Sequence, residues 1–171
     1  MIKLLGVLFV TVGCGMCGWY FSDRFLGRVH LLEEWQQLIQ YLYGEIEYSE
    51  CDIYEILCKL SERCRYSRNF WLSTAKDIEK HNGLTFSEIW KSHISEIELW
   101  NFLKDDEREI IESLGDNIGS LDRETQLHTL KIFQNRLSFN LSKAKEEYAV
   151  QARLSHVICI TVGIFISVLL I

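Results

Sequence analysis

Residues Ile111 to Leu130 read IESLGDNIGSLDRETQLHTL, and the spacing within them decides the fold. Ile111, Leu114 and Ile118 recur at helical intervals, and the same periodicity resumes at Leu127 and Leu130. Gly119 stands just past the last periodic residue of the first segment. There a glycine takes the left-handed conformation without a side-chain penalty. Ser120 or Asp122 can accept hydrogen bonds from the free N–H groups of the next helix, and Glu124 falls in its first turn, where negative charge is favoured. Gln126 lies one turn past Asp122, so its amide can bond back across the corner. Gly115 is not needed for the turn. In a helix interior it costs about 1 kcal/mol relative to alanine, which implies that another helix backbone approaches closely there. The corner is either a turn that stabilises a bundle or part of a docking surface.

Working outward, helical spacing continues in both directions. Leu31, Trp35, Leu38, Leu42 and Ile46 predict a helix over 24–48. Asp52 with Glu55 predicts a capping box ahead of Ile53, Ile56, Leu57, Leu60 and Cys64. Ser67 predicts a cap for a third helix with Phe70, Trp71, Ala75 and Ile78, ended by His81-Asn82-Gly83. Thr85 and Glu88 predict a second capping box, opening a helix with Phe86, Ile89, Trp90, Ile94 and Ile97. Asp105 or Asp106 starts the fifth helix. A sixth runs from about 121 with Leu127, Leu130, Leu137, Leu141, Ala144 and Tyr148 on its buried face. No segment alternates as a strand would. The expected fold is all-α: a six-helix antiparallel bundle with N- and C-terminal transmembrane helices. Trp35, Trp71, Trp90 and Trp100 read as core or interface anchors.

The membrane assignment comes from composition. The chain has 171 residues and no proline. Leu4 to Phe21 is an uncharged run of 18 residues, and Val157 to Ile171 is one of 15; a bilayer core needs about 20 residues of helix. The intervening chain holds all 24 acidic and 17 of the 18 basic residues. The expected organisation is an N-terminal transmembrane anchor at 1–22, a cytoplasmic bundle at 23–153 and a transmembrane or membrane-inserted segment at 154–171. Arg24, Arg28, Lys143, Lys145 and Arg153 flank the runs on the inner side and Lys3 stands alone outside, which places the middle in the cytoplasm. Residues 14–22 lack a clear cleavage site, and Thr11-Val12-Gly13-Cys14 fits a lipoprotein signal poorly, so the N-terminus reads as an uncleaved anchor.

The acidic balance leaves no basic stripe for a nucleic acid. Cys14, Cys17, Cys51, Cys58, Cys64 and Cys159 match no zinc spacing. They read as small apolar residues in a reducing compartment, with redox or metal chemistry as the other reading. The five histidines form no metal face, and no phosphate-binding loop or catalytic constellation is present. No enzyme activity, cofactor or small-molecule substrate is expected.

Leu114-Gly115, Ile118-Gly119-Ser120, Asp122-Arg123-Glu124 and Gln126 together resemble the most distinctive motif of the stage III sporulation protein AB family. In order along the chain, Glu45-Ile46-Glu47-Tyr48, the segment from Gly83 to Trp90 and Ala144-Lys145-Glu146-Glu147 ahead of an apolar tail also fit that family. Cys51-Asp52 departs from it, where a threonine–proline turn is frequent. The resemblance implies a subunit of the channel complex between mother cell and forespore. It also implies a helical domain similar to F-type platform proteins of type II secretion and type IV pilus systems. Its partners would be a cytosolic ATPase (protein AA of the same complex), other membrane subunits and membrane lipid. Its place would be the mother-cell membrane facing the forespore. Leu114, Gly115, Gly119, Ser120, Asp122, Glu124 and Gln126 are then a candidate interaction or structural corner, and Glu45, Glu47 and Trp90 a second patch. The alternative is a membrane-anchored signalling or regulatory helical protein with no channel role.

Overall fold

The computed structural model describes the backbone of residues 2–49, 51–80, 83–118 and 122–170. It also describes the side chains from 23 to 151 within those spans, and those of 153–154, 157–158 and 161–162. Among the described residues there are six α-helices and no strand: α1 Ile2–Tyr48, α2 Ile53–Arg63, α3 Arg68–Glu79, α4 Phe86–His93, α5 Asp105–Ile118 and α6 Arg123–Leu170. Two 3-10 turns, Ile94–Glu96 and Trp100–Phe102, lie between α4 and α5. The chain clusters into two compact units, one of residues 1–29 with 143–171, the other of residues 30–142.

The unit of residues 30–142 is organised around four aromatic rings. Trp35, Phe70, Trp71 and Trp90 are each at most 1% exposed. The Trp35 ring lies 5.4 Å from Trp71, 5.9 Å from Phe70 and 6.0 Å from Trp90, and Phe70 meets Trp90 edge-on at 4.8 Å. Tilted and edge-on geometries suit the ring quadrupoles, each pair contributing about 0.5–1.5 kcal/mol beyond burial. The cluster therefore ties α1, α3 and α4 to one point. Leu57 and Leu60 of α2, Ile111 and Leu114 of α5, and Leu130 and Leu137 of α6 are likewise at most 1% exposed. These are the residues that helical spacing places on the inner faces.

Local signals held in some places and failed in others. The Thr85–Glu88 capping box forms: Glu88 N–H donates to Thr85 Oγ1 at 3.3 Å, and Thr85 N–H donates to Glu88 Oε2 at 2.8 Å. The box expected at Asp52 does not. Its side chain makes no cap bond, and Glu55 pairs with Lys59 at 3.1 Å. Ser67 does not cap α3 either. Its hydroxyl donates to Glu34 Oε1 at 2.6 Å and accepts from Trp71 Nε1 at 3.2 Å. The backbone donors ahead of α3 go to Glu34 on α1, whose carboxylate accepts from the N–H groups of Arg65 (2.6 Å), Tyr66 (2.9 Å) and Ser67 (2.9 Å).

The fourth helix is shorter than its apolar stripe. It ends at His93, and the chain tightens into a 3-10 turn in which Ile97 N–H donates to Ile94 C=O at 3.2 Å. Ile97 still reaches the core, 3% exposed, so burial of the stripe does not require continued α-helix. Gly83 takes the left-handed conformation ahead of α4, at φ +74°. His81 and Asn82, expected at the same turn, lie outside the described residues.

In the unit of residues 1–29 and 143–171, Arg28 is almost fully buried and its Nη1 meets Glu147 Oε2 at 2.6 Å, joining α1 to α6. No helix is long and apolar enough to cross a membrane among the described residues. The side chains of 4–21, and most of those of 157–171, lie outside the described residues.

Candidate interaction surface

The two groups of residues singled out in the sequence do not stay separate. Trp90 is fully buried and belongs with the corner. Its indole Nε1 donates to Ile111 C=O at 3.0 Å, and its ring lies directly over Gly115. The close approach that Gly115 permits is therefore that of an aromatic side chain, not of another helix backbone. Leu114 is 1% exposed and turns into the core. Gln126 does what its position promised: its Nε2 donates to Ile118 C=O at 2.6 Å, closing the end of α5 onto the start of α6. Asp122 C=O accepts the first backbone bond of α6, from Gln126 N–H at 2.9 Å. Glu124 is exposed in the first turn. Gly119 and Ser120 lie outside the described residues.

Glu45 and Glu47 sit at the last turn of α1, which has no basic residue of its own. A helix end of this kind leaves carbonyls and a partial negative charge without a partner. Arg123 of α6 supplies one. Its Nε donates to Ile46 C=O at 2.9 Å and its Nη2 to Glu47 C=O. Glu45 faces α2, with Lys59 at 3.7 Å. A hydrogen bond from the Tyr41 hydroxyl, aided by Lys59, holds its carboxyl below the usual range. Arg123 stands within the motif but not among the candidate corner residues. Its role depends on partners 76 and 77 positions away, and no local pattern assigns it.

Between these elements runs a groove of about 680 Å³. Ile46, Ile53, Ile78, Leu84, Phe86 and Ile118 give it an apolar lining, and Glu45, Asp77, Arg123 and Gln126 add polar positions. Leu84 is 54% exposed. On the groove's lining, Asp77 also belongs to a small ionic cluster. His93 Nε2 meets Asp77 Oδ2 at 2.9 Å and Nδ1 meets Glu96 Oε1 at 2.7 Å. Ser73 donates to Glu96 at 2.6 Å, and Lys80 pairs with Asp77 at 2.7 Å. Burial opposes a charged imidazole, but the two carboxylates outweigh it and raise the His93 pKa. Among the described residues no three His, Cys, Asp or Glu side chains converge as metal ligands. Cys51, Cys58 and Cys64 are free thiols, and burial pushes that of Cys64 up to about 11, away from thiolate chemistry. The groove is thus an apolar lining inside a polar rim.

Comparison with known proteins agrees with the motif. The model of the family described as Stage III sporulation protein AB matches residues 3–171. Stage III sporulation protein AB of Bacillus subtilis (strain 168) is 19% identical over 170 residues, covering 99% of this chain and 99% of that protein. A solved structure of Stage III sporulation protein AB (SpoIIIAB) is similar with a TM-score of 0.64 at 17% identity, over 72% of this chain and 97% of that one. With Trp90, Gly115, Ile118 and Gln126 of the quoted segments brought together and a family match along nearly its whole length, this chain belongs to the stage III sporulation protein AB family.

Proposed function

We propose that the protein is a platform and assembly subunit of the sporulation channel between mother cell and forespore, and that it couples a cytosolic ATPase to membrane components. The observation that carries this reading is that α1 and α6 serve two purposes. Each has an uncharged run at one end, and each contributes to the groove at the other, through Glu45 and Ile46 on α1 and Arg123 and Gln126 on α6. A helix that is continuous between two such places transmits a displacement with little loss, because its backbone hydrogen bonds are internal. In this reading the uncharged runs enter the mother-cell membrane, the bundle faces the cytoplasm, and the ATPase (protein AA of the complex) seats an apolar side chain in the groove. The protein does no chemistry of its own; neither named relative has an enzyme's name.

The discriminating variant is Leu84→Glu. Leu84 is exposed, so the change leaves the core intact while placing a charge on the apolar lining. Co-purification of the ATPase with the full chain from sporulating cells is expected to be lost, with helix content and protein level unchanged. Retained co-purification would remove the groove as the docking site.

A further inference from the structure

The charges of the two compact units have opposite sign. Residues 1–29 and 143–171 hold 6 basic and 3 acidic residues, a net of +3; residues 30–142 hold 12 basic and 21 acidic, a net of −9. Within the first unit, Arg24 on α1 and Lys143, Lys145 and Arg153 on α6 are exposed. Arg28 is not part of this set, being buried against Glu147. Asp23 and Glu146 are the exposed acidic residues that offset it.

Alongside this basic set, α6 exposes large apolar side chains: Val150 (56%), Leu154 (46%), Val157 (62%) and Ile158 (56%). They recur at four and three residues, so they share a face. Water is a poor solvent for such a face, and isolated exposed apolar residues do not explain a run of four. A basic set beside an apolar band matches a surface that is anionic at one depth and apolar at the next, as a lipid leaflet is.

Resting on the membrane placement proposed above, we infer that Arg24, Lys143, Lys145 and Arg153 form a collar that binds the phosphate headgroups of anionic phospholipids, with the Val150–Ile158 face entering the acyl boundary below it. The dimensions fit. Lys143 and Arg153 are about 15 Å apart along the helix, the headgroup layer of one leaflet is roughly 5–8 Å deep, and the Debye length adds about 8 Å. Arg153, next to Leu154, extends its charged end back to the headgroups while its stem lies against lipid. A monoanionic phosphodiester is the matching chemistry, and a choline headgroup cancels that charge. The inner surface that positive flanking residues select is also the one that carries anionic lipid.

The test uses the full chain in phosphatidylcholine vesicles, with trace spin-labelled phosphatidylglycerol or spin-labelled phosphatidylcholine as the probe. The fraction of motionally restricted probe gives the relative association of the two headgroups. The collar predicts about a fivefold preference for phosphatidylglycerol, as one basic side chain at an anionic surface provides. The preference falls to parity in the Arg24→Gln, Lys143→Gln, Lys145→Gln, Arg153→Gln variant. If that variant loses its helix content, 1 M salt applied to the wild-type protein removes the preference instead, since screening then acts within about 3 Å. Parity in the wild-type protein at low salt overturns the collar while leaving the membrane placement standing, and self-association at parity would assign the face to a second copy. No restricted lipid with either probe overturns the membrane placement itself.

Discussion

Trp90 and Gly115 interlock. A Cβ added at Gly115 would meet Cγ and Cδ1 of the Trp90 indole and lie 2.8 Å from its Cδ2, while the indole N–H is held by Ile111 C=O one turn earlier on the same helix. The ring can neither slide along α5 without losing that hydrogen bond nor lift away without opening the aromatic cluster. Gly115→Ala would gain about 1 kcal/mol of helix propensity and lose more to overpacking, which costs typically about 1–3 kcal/mol. A net loss of stability is expected in thermal unfolding followed by circular dichroism, with Gly115→Leu failing to fold. Combining Gly115→Ala with Trp90→Phe should recover part of the loss; strictly additive losses would mean that the two residues do not share a contact.

The helical periods were legible because burial follows them. Leu31, Trp35, Leu38 and Leu42 sit three and four apart, and all are at most 3% exposed. Ile46 continues the same series but remains half-exposed in the groove, and a stripe does not reveal where its cover ends. Gly115 was legible as a close approach, yet not its partner, because nothing in the α5 sequence names the ring of another helix. Glu34 was not legible at all: the N–H groups it accepts are 31 to 33 residues away.

Glu34 yields the second prediction. Its carboxylate accepts four hydrogen bonds, three from the backbone of residues 65–67 and one from the Ser67 hydroxyl. Removing a charged acceptor that satisfies backbone donors costs about 1.5–3 kcal/mol per well-made bond at most, with water recovering some of it at the exposed Arg65. Glu34→Ala is expected to lower the denaturation midpoint far more than Glu33→Ala on the same helix. Equal effects would remove the capping role.

The two capping positions separate in the same way. Thr85→Ala should cost about 0.5–2 kcal/mol, the range for losing an N-cap. Asp52→Ala should stay within about 0.5 kcal/mol, the range for a surface change away from such features, because its side chain makes no cap bond. Denaturant titration of both variants checks this; a larger loss at Asp52 would contradict the assignment.

The His93 cluster predicts the pH response. The carboxylates of Asp77 and Glu96 raise the folded pKa of His93 despite its burial, so its contribution is fully present below its unfolded value of about 6.5 and is lost as pH rises through the folded one. Lys80 and then His93 depress Asp77. Burial works against the charge of Glu96, but bonds from Ser73 and His93 outweigh it. These carboxylates contribute above their ordinary range near pH 4 and lose that contribution as pH falls through the depressed values. The cluster therefore stabilises most at about pH 5–6. The melting temperature should be higher at about pH 5.5 than at about pH 8, and His93→Gln should shrink that difference.

The most direct measurement puts a photo-crosslinking amino acid in place of Leu84, the exposed apolar residue on the groove, in sporulating cells, with Phe139 on the outer face of α6 as the comparison site. An adduct with the ATPase at Leu84 and none at Phe139 is the predicted result. Adducts only at Phe139, or at neither position while the complex assembles, would contradict a platform that works by docking the ATPase in this groove.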